Sequence, residues 1–332
     1  MTAPVLKLPD IHERWPFPVL HNPWQDIVGA ESLSWMESLS IMSGSQMKKF
    51  RAANFDILAS MAYAHMTDMH HFRVACDLLL VLFAFDDATD EQSGQEARRT
   101  AEISLDALRD WKTPRSQGEH PAGEMHRSFS ERLSLVASPK VVDRFIASYE
   151  MYVTSVAKEA HDRDTIRPSL HSYLEMRRNT GAMKPSFDIL LIPHEIPDDI
   201  LNDPRLIHVE TLGRDLVCIA NDIFSFNVEQ ARGDIHNAVI VVMHERGLSM
   251  QQAMDFVGTW YRDTIEELWT AMRDVPLCGS IAIRNRVKMY FAAIANWVTG
   301  NHEWSLDCDR YFPMGRGSVE SGMIVPLPRR EL

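Results

Sequence analysis

Eight consecutive apolar residues, Leu78 to Phe85, run directly into an acidic cluster at Asp86, Asp87 and Asp90. A helix over this stretch would be hydrophobic on every side, so it must lie inside a core rather than on a surface. On that helix Asp86 and Asp90 fall one turn apart on the same face, about 6 Å along the axis, with Asp87 roughly 100° round. The acids also stand at the negative pole of the helix dipole, where they need a compensating cation. Hard divalent cations such as magnesium are bound by carboxylate oxygens in this way. The pair Asp198-Asp199 differs: it sits between Pro197 and Pro204 and reads as a solvated loop or helix start.

The rest of the chain suits a buried helix. It has 332 residues, 45% apolar and 24% charged, which are ordinary globular values with ample length for a core. The formal charge of -12 argues against nucleic acid as a partner, because phosphate backbones need clustered Lys and Arg. Cys76, Cys218, Cys278 and Cys308 are far apart and form no C-x-x-C pair, so neither a zinc site nor a disulfide framework is indicated. The prolines of the N-terminal stretch exclude a signal peptide's apolar run, and no window reaches the ~18 apolar residues of a membrane span. A cytoplasmic protein is expected; oligomeric state cannot be read from the residues.

Residues 1–23 carry five prolines and predict an extended arm laid over the body. After Trp24 the apolar spacing is three and four, as in Ile57, Met61, Ala64 and in Val141, Phe145, Tyr152, with no sustained alternation. The prediction is an all-α chain of ten to twelve helices in one domain, 1–332, closed by a Pro- and Gly-rich tail, 313–332.

A second cluster mirrors the first. Asn221, Ser225 and Glu229 recur at i, i+4 and i+8, so on a helix they line one face over about 12 Å. An amide carbonyl, a hydroxyl and a carboxylate make three hard oxygen ligands, a set that suits magnesium sharing its shell with phosphate oxygens or water. The interleaved Cys218, Ile219, Ile223 and Phe224 are core-type residues, which argues against a merely solvated stripe.

A D-D-x-x-D on one helix and an N-D-x-x-S-x-x-x-E on another resemble the class I terpene synthases, and specifically the fungal, basidiomycete-type sesquiterpene synthases. Arg177-Arg178-Asn179-Thr180-Gly181, Asp234 to Val239, and Trp304 through Arg310-Tyr311-Phe312 resemble further segments of that family in the same order. The resemblance implies a helical bundle around one apolar cavity, with the two motifs facing each other at its mouth. It implies three magnesium ions, held by Asp86 and secondarily Asp90 on one side and by Asn221, Ser225 and Glu229 on the other. It implies farnesyl diphosphate as substrate, ionised and cyclised with release of diphosphate. Arg177 matches the diphosphate sensor, with Arg178 beside it as the alternative; Thr180 and Gly181 match the linker and effector positions, and Arg310 and Tyr311 the pair that grips diphosphate on closure.

The residue types carry that chemistry by themselves. Diphosphate departs as a cation forms only if its developing charge is stabilised, and the cation must then be kept from water in an apolar pocket. Phe83, Phe187, Trp297 and Trp304 are the aromatic candidates for facing it. Two departures from the family stand out: Val228 where many relatives carry Lys, and Asp87 where fungal members often have Glu. His70, His71 and His161 lack convergent partners and read as solvated or core histidines. The rival readings are a chain-elongating prenyltransferase, which would carry two D-D-x-x-D motifs, and a non-catalytic helical interaction protein.

Overall fold

The structure is a computed structural model that describes residues 5–162, 165, 169–276, 278–312 and 322–328. Nearly all of it is helix, as the spacing predicts. Four long helices set the frame: α4 (Met69–Asp90), α7 (Pro139–His161), α11 (Pro204–Arg232) and α14 (Ile281–Asp307). Each starts at a side-chain cap that satisfies orphaned N–H groups. Asp68 caps α4 by accepting from the backbone of His70 and His71, which accounts for that histidine pair as part of a helix start. Ser138 and Asp203 cap α7 and α11, each followed by proline in the first turn, and Ser280 caps α14. Gly233, at φ 91°, ends α11 in the left-handed conformation that glycine adopts without strain.

The described residues form fourteen α-helices, more than the ten to twelve expected. The difference lies in breaks where a residue other than glycine takes the left-handed conformation. Ser40, Asn54 and Ala182 all take positive φ, at 52°, 51° and 54°, and each interrupts a helical run. The last separates α8 (Leu170–Thr180) from α9 (Met183–Asp188), and it proves central to the site.

The apolar run of α4 is buried as expected, with Leu78, Leu79 and Val81 at 0 to 1% exposure. One charge sits in that helix at full burial. Asp77 accepts from Arg73 Nε at 2.8 Å and from Arg132 Nε at 2.5 Å, the second on α6 (Ala122–Val136). A buried carboxylate held by two guanidiniums fixes α4 in rotation, because turning the helix would strip the charge of both partners at once. On the opposite side α14 approaches α3 (Phe55–Ala62) closely: a Cβ at Gly300 would lie 2.9 Å from Met61 Cβ and 3.0 Å from Ala62 N. Only glycine permits that approach, and it brings α14 within reach of the cavity wall.

The N-terminal arm runs without helix from Val5 to Trp24, turning at Glu13 and Arg14, and lays Leu6, Leu8, Ile11 and Trp15 into the core. Its strand β1 (Leu6–Lys7) pairs antiparallel with β2 (Met323–Ile324), Leu6 opposite Ile324. The all-α reading therefore misses this two-stranded clasp, since two-residue strands are too short to show alternation. No helix of the described residues is long and apolar enough to cross a membrane.

Candidate active site

One cavity opens among α3, α4, α7, the α8–α9 break, α11 and α14. Its volume is about 110 Å³. Leu58, Leu79, Leu82, Met183, Val217 and Trp297 make the wall mostly apolar. Asp86, Arg177 and Asn221 also line it and bring polar groups from three different helices to the same space.

Asp86 comes from the last turn of α4. Its side chain keeps 43% of its surface accessible, yet this surface faces a recess within the protein rather than bulk water. Desolvation, reinforced by the charge of Asp90, pushes its carboxyl up to about 8. Asp90, one turn further on, is exposed and lies outside the cavity lining. Glu229 shows the same strain in the second cluster: burial, with the neighbouring charge of Asp222, pushes it up to about 7. Two carboxylates at this depth are short of positive charge. A bound cation would restore their ionised form.

Asn221, Ser225 and Glu229 all lie on α11 as predicted. Asn221 is already engaged on both atoms of its amide: Oδ1 accepts from Arg177 Nη2 at 2.7 Å, and Nδ2 donates to the Tyr311 hydroxyl at 2.7 Å. Ser225 is 2% exposed; its hydroxyl is near enough to Glu229 to lower that carboxyl's pKa but makes no well-formed hydrogen bond. A buried hydroxyl without a partner is costly, and an oxygen-seeking cation would supply one. The donor set is entirely oxygen, so these residues fit magnesium.

Behind the triad stands a support that spacing did not single out. Asp222 accepts from Tyr173 Oη, from Arg177 Nε at 3.1 Å and from the backbone N–H of Ala238 at 3.1 Å. Asn237 Nδ2 donates to the Asp222 carbonyl at 2.7 Å and to Glu229 Oε2 at 2.9 Å. The Asp234 to Val239 segment therefore orients a carboxylate of the triad rather than lining the cavity.

The two arginines part company. Arg177 reaches the cavity and Asn221, whereas Arg178 turns roughly 100° away round α8 and forks onto Asp215 at 2.9 and 2.7 Å. Arg178 is thus placed outside the site. Thr180 and Gly181 do line the cavity, with the Thr180 hydroxyl buried and unpartnered among the described residues. A Cβ at Gly181 would meet Cys218 Sγ at 2.6 Å and the Arg177 carbonyl at 3.0 Å, so this wall requires glycine.

Arg310 and Tyr311 follow the end of α14 and stand beside the acidic end of α4 and Asn221. Arg310 Nη2 stands 3.1 Å from Asp87 Oδ1 and 4.0 Å from Asp86 Oδ2, with its guanidinium 5.5 Å from the centre of the Phe83 ring. Its neighbour Tyr311 holds Asn221, so two consecutive residues bridge both oxygen clusters. Tyr311 and Phe312 are 6% and 3% exposed, a docked segment rather than the loose one their place beyond the last helix suggests.

Of the four aromatic candidates, Phe83 and Trp297 line the cavity. Phe187 and Trp304 lie one layer back. Phe187 packs behind Trp297, ring centres 6.3 Å apart, and Trp304 donates Nε1–H to the Ala53 carbonyl while packing on Phe83 and Tyr311. Helical spacing marks all four as buried but not which side faces the void. For the same reason it misses Tyr152 and Asn301, which do line it.

His12, His302 and Glu303 form a further group with donor atoms within 4.8 Å of one another. The two rings stack face to face, 3.5 Å apart and 7° from parallel, so their lone pairs lie in parallel planes and cannot converge on one ion.

Residues 77–267 match the family model described as terpene synthase family 2, C-terminal metal binding, a span that contains both oxygen clusters. A Delta(6)-protoilludene synthase from Stereum hirsutum is 34% identical over 97% of this chain and 88% of its own length. One from Armillaria gallica is 34% identical over 97% of this chain and 94% of its own. Among solved structures, that of a-eudesmol synthase superposes with a TM-score of 0.77 at 25% identity, covering 88% of this chain and 97% of that one. Hedycaryol synthase, in complex with HEPES, gives 0.78 at 20% identity over 90% and 98%, a likeness of fold.

Proposed function

Because the chain belongs to the terpene synthase family and is a terpene cyclase with the class I helical fold, we propose that it is a magnesium-dependent sesquiterpene synthase acting on farnesyl diphosphate. The observation that carries this reading is the meeting of two oxygen clusters and two guanidiniums, Arg177 and Arg310, at the mouth of one apolar cavity.

Asp86 on one side, with Asp90 as a secondary position, and Asn221, Ser225 and Glu229 on the other would hold the magnesium ions, three in all. Bound there, magnesium supplies the positive charge that stabilises diphosphate as a leaving group. Arg177, Arg310 and Tyr311 offer N–H and O–H donors to the diphosphate oxygens, so the negative charge that develops on the departing oxygen meets fixed donors. The carbon–oxygen bond breaks with its electron pair leaving on diphosphate, and an allylic cation remains. Leu79, Leu82, Met183 and Val217 exclude water from it, while the ring faces of Phe83 and Trp297 each contribute about 0.5 to 2 kcal/mol of cation stabilisation. The shape they enclose folds the chain for cyclisation, and loss of a proton from the cyclised cation gives a hydrocarbon.

The test is incubation with farnesyl diphosphate, with and without magnesium, followed by gas chromatography with mass detection. Cyclic C15 products are expected with magnesium and none in excess chelator. Equal product in the presence of chelator would overturn the assignment.

A further inference from the structure

Helix α11 carries two stripes, and only one of them is the oxygen triad. Asn221, Phe224, Asn227 and Gln230 recur at every third position, and each touches the C-terminal end of the chain. Asn221 holds the Tyr311 hydroxyl. Phe224 packs edge-on against Phe312, ring centres 6.2 Å apart. Asn227 clamps the segment that follows β2 at two points: Nδ2 donates to the Val325 carbonyl at 3.2 Å and Oδ1 accepts from the Leu327 N–H at 2.8 Å. Gln230 Nε2 donates to the Leu327 carbonyl at 2.7 Å.

Steps of three turn back by roughly 60° while steps of four advance by roughly 40°, so the two stripes start together at Asn221 and diverge along the helix. The triad runs along one flank and the tail along the other. Asn227 lies between Ser225 and Glu229 in sequence, and Gln230 directly follows Glu229.

The residues just before the segment gripped by Asn227 are held by the N-terminal arm. Ile324 pairs with Leu6 of the N-terminal arm, and the Leu8 N–H donates to the Gly322 carbonyl at 2.7 Å. The arm returns to the same helix through its own stack, His12 on His302 and His302 edge-on to Phe224, 5.4 Å between the last two rings. Phe224 therefore joins arm and tail just before Ser225.

We propose that Asn227 and Gln230 are positioning residues, which strap the Val325–Leu327 segment to α11 and so keep Arg310 and Tyr311 seated over the cavity mouth. The inference rests on the diphosphate-binding reading of that mouth. Its side chains act on register: a backbone-mimicking amide fixes where the tail lies along the helix, as a strand partner would. Asn227 and Gln230 are 7% and 8% exposed, whereas Val325 and Leu327 are surface residues whose backbone can turn to water if released. Loosening the strap therefore leaves the core intact and frees the closing segment. A less firmly seated segment admits water to the cation.

The experiment compares the parent with Asn227→Leu and with Leu327→Pro. The second removes the donated N–H from the tail side without touching α11, so it stands even if the first fails to fold. Each is incubated with farnesyl diphosphate and magnesium in ¹⁸O-labelled water, and kcat, KM, thermal midpoint and product ratio are read. Labelled alcohols and linear products are expected to rise about threefold or more relative to cyclic hydrocarbon, with kcat down about tenfold and the midpoint nearly unchanged. An unchanged product ratio in Leu327→Pro overturns the proposal, whether or not the midpoint falls, because a merely structural strap lowers stability without redirecting the cation. A parent that makes no magnesium-dependent product instead overturns the reading of the site itself.

Discussion

Replacing Arg177 with glutamine is expected to lower turnover of farnesyl diphosphate by about a hundred- to a thousandfold, the effect of losing one fixed donor from a site where charge develops. The same change at Arg178 should leave turnover within about threefold. The contrast follows from a single residue step, roughly 100°, round α8. Arg177 shares its guanidinium between Asn221 and Asp222 and faces the cavity; Arg178 is spent on Asp215 at a partly exposed surface. In Arg177→Gln the Asp222 carboxylate still accepts from Tyr173 and the Ala238 N–H, so the helix retains its anchor. Steady-state kinetics of both variants, with thermal midpoints to show that each is folded, check this. Equal losses in the two would mean that the site reads net charge and not a particular guanidinium.

Arg310→Lys is the second large effect. Lysine keeps the positive charge but loses the planar fork that can reach two diphosphate oxygens at once. Arg310 now lies against Asp87 and close to Asp86, with its plane near the Phe83 ring. A lysine can satisfy the carboxylates without presenting the same donors to the substrate. Most turnover should be lost, about a hundredfold, and the residual product should be richer in linear and hydroxylated compounds because closure is incomplete. Product profile and rate at saturating magnesium decide it. An unchanged cyclic product at an unchanged rate would show Arg310 to be a point charge.

The parts of the site that sequence revealed are those set by spacing within one helix. Asp86 after its apolar run and the Asn221, Ser225, Glu229 stripe need only the helical period to be placed. What sequence could not resolve depends on rotation and on partners from distant segments. Arg177 and Arg178 are adjacent and chemically identical; only the location of Asp215 separates them. Phe187 and Trp304 share burial with Trp297, yet pack behind Trp297 and Phe83 respectively and do not face the void, while Tyr152 carries no mark beyond an apolar spacing. The break at Ala182 escaped because the residue after Gly181, and not the glycine itself, takes the positive φ there. The arm–tail clasp escaped because register over two residues leaves no pattern to read.

The central claim is that the two clusters hold metal and diphosphate together. The most direct measurement is a crystal grown with manganese in place of magnesium and inorganic diphosphate, recorded for anomalous scattering. Three manganese peaks are expected at the cavity mouth, in contact with Asp86 on one side and with Asn221, Ser225 and Glu229 on the other, and diphosphate between them touching Arg177, Arg310 and Tyr311. A mouth without manganese, or manganese found only beside His12, His302 and Glu303, would contradict the account.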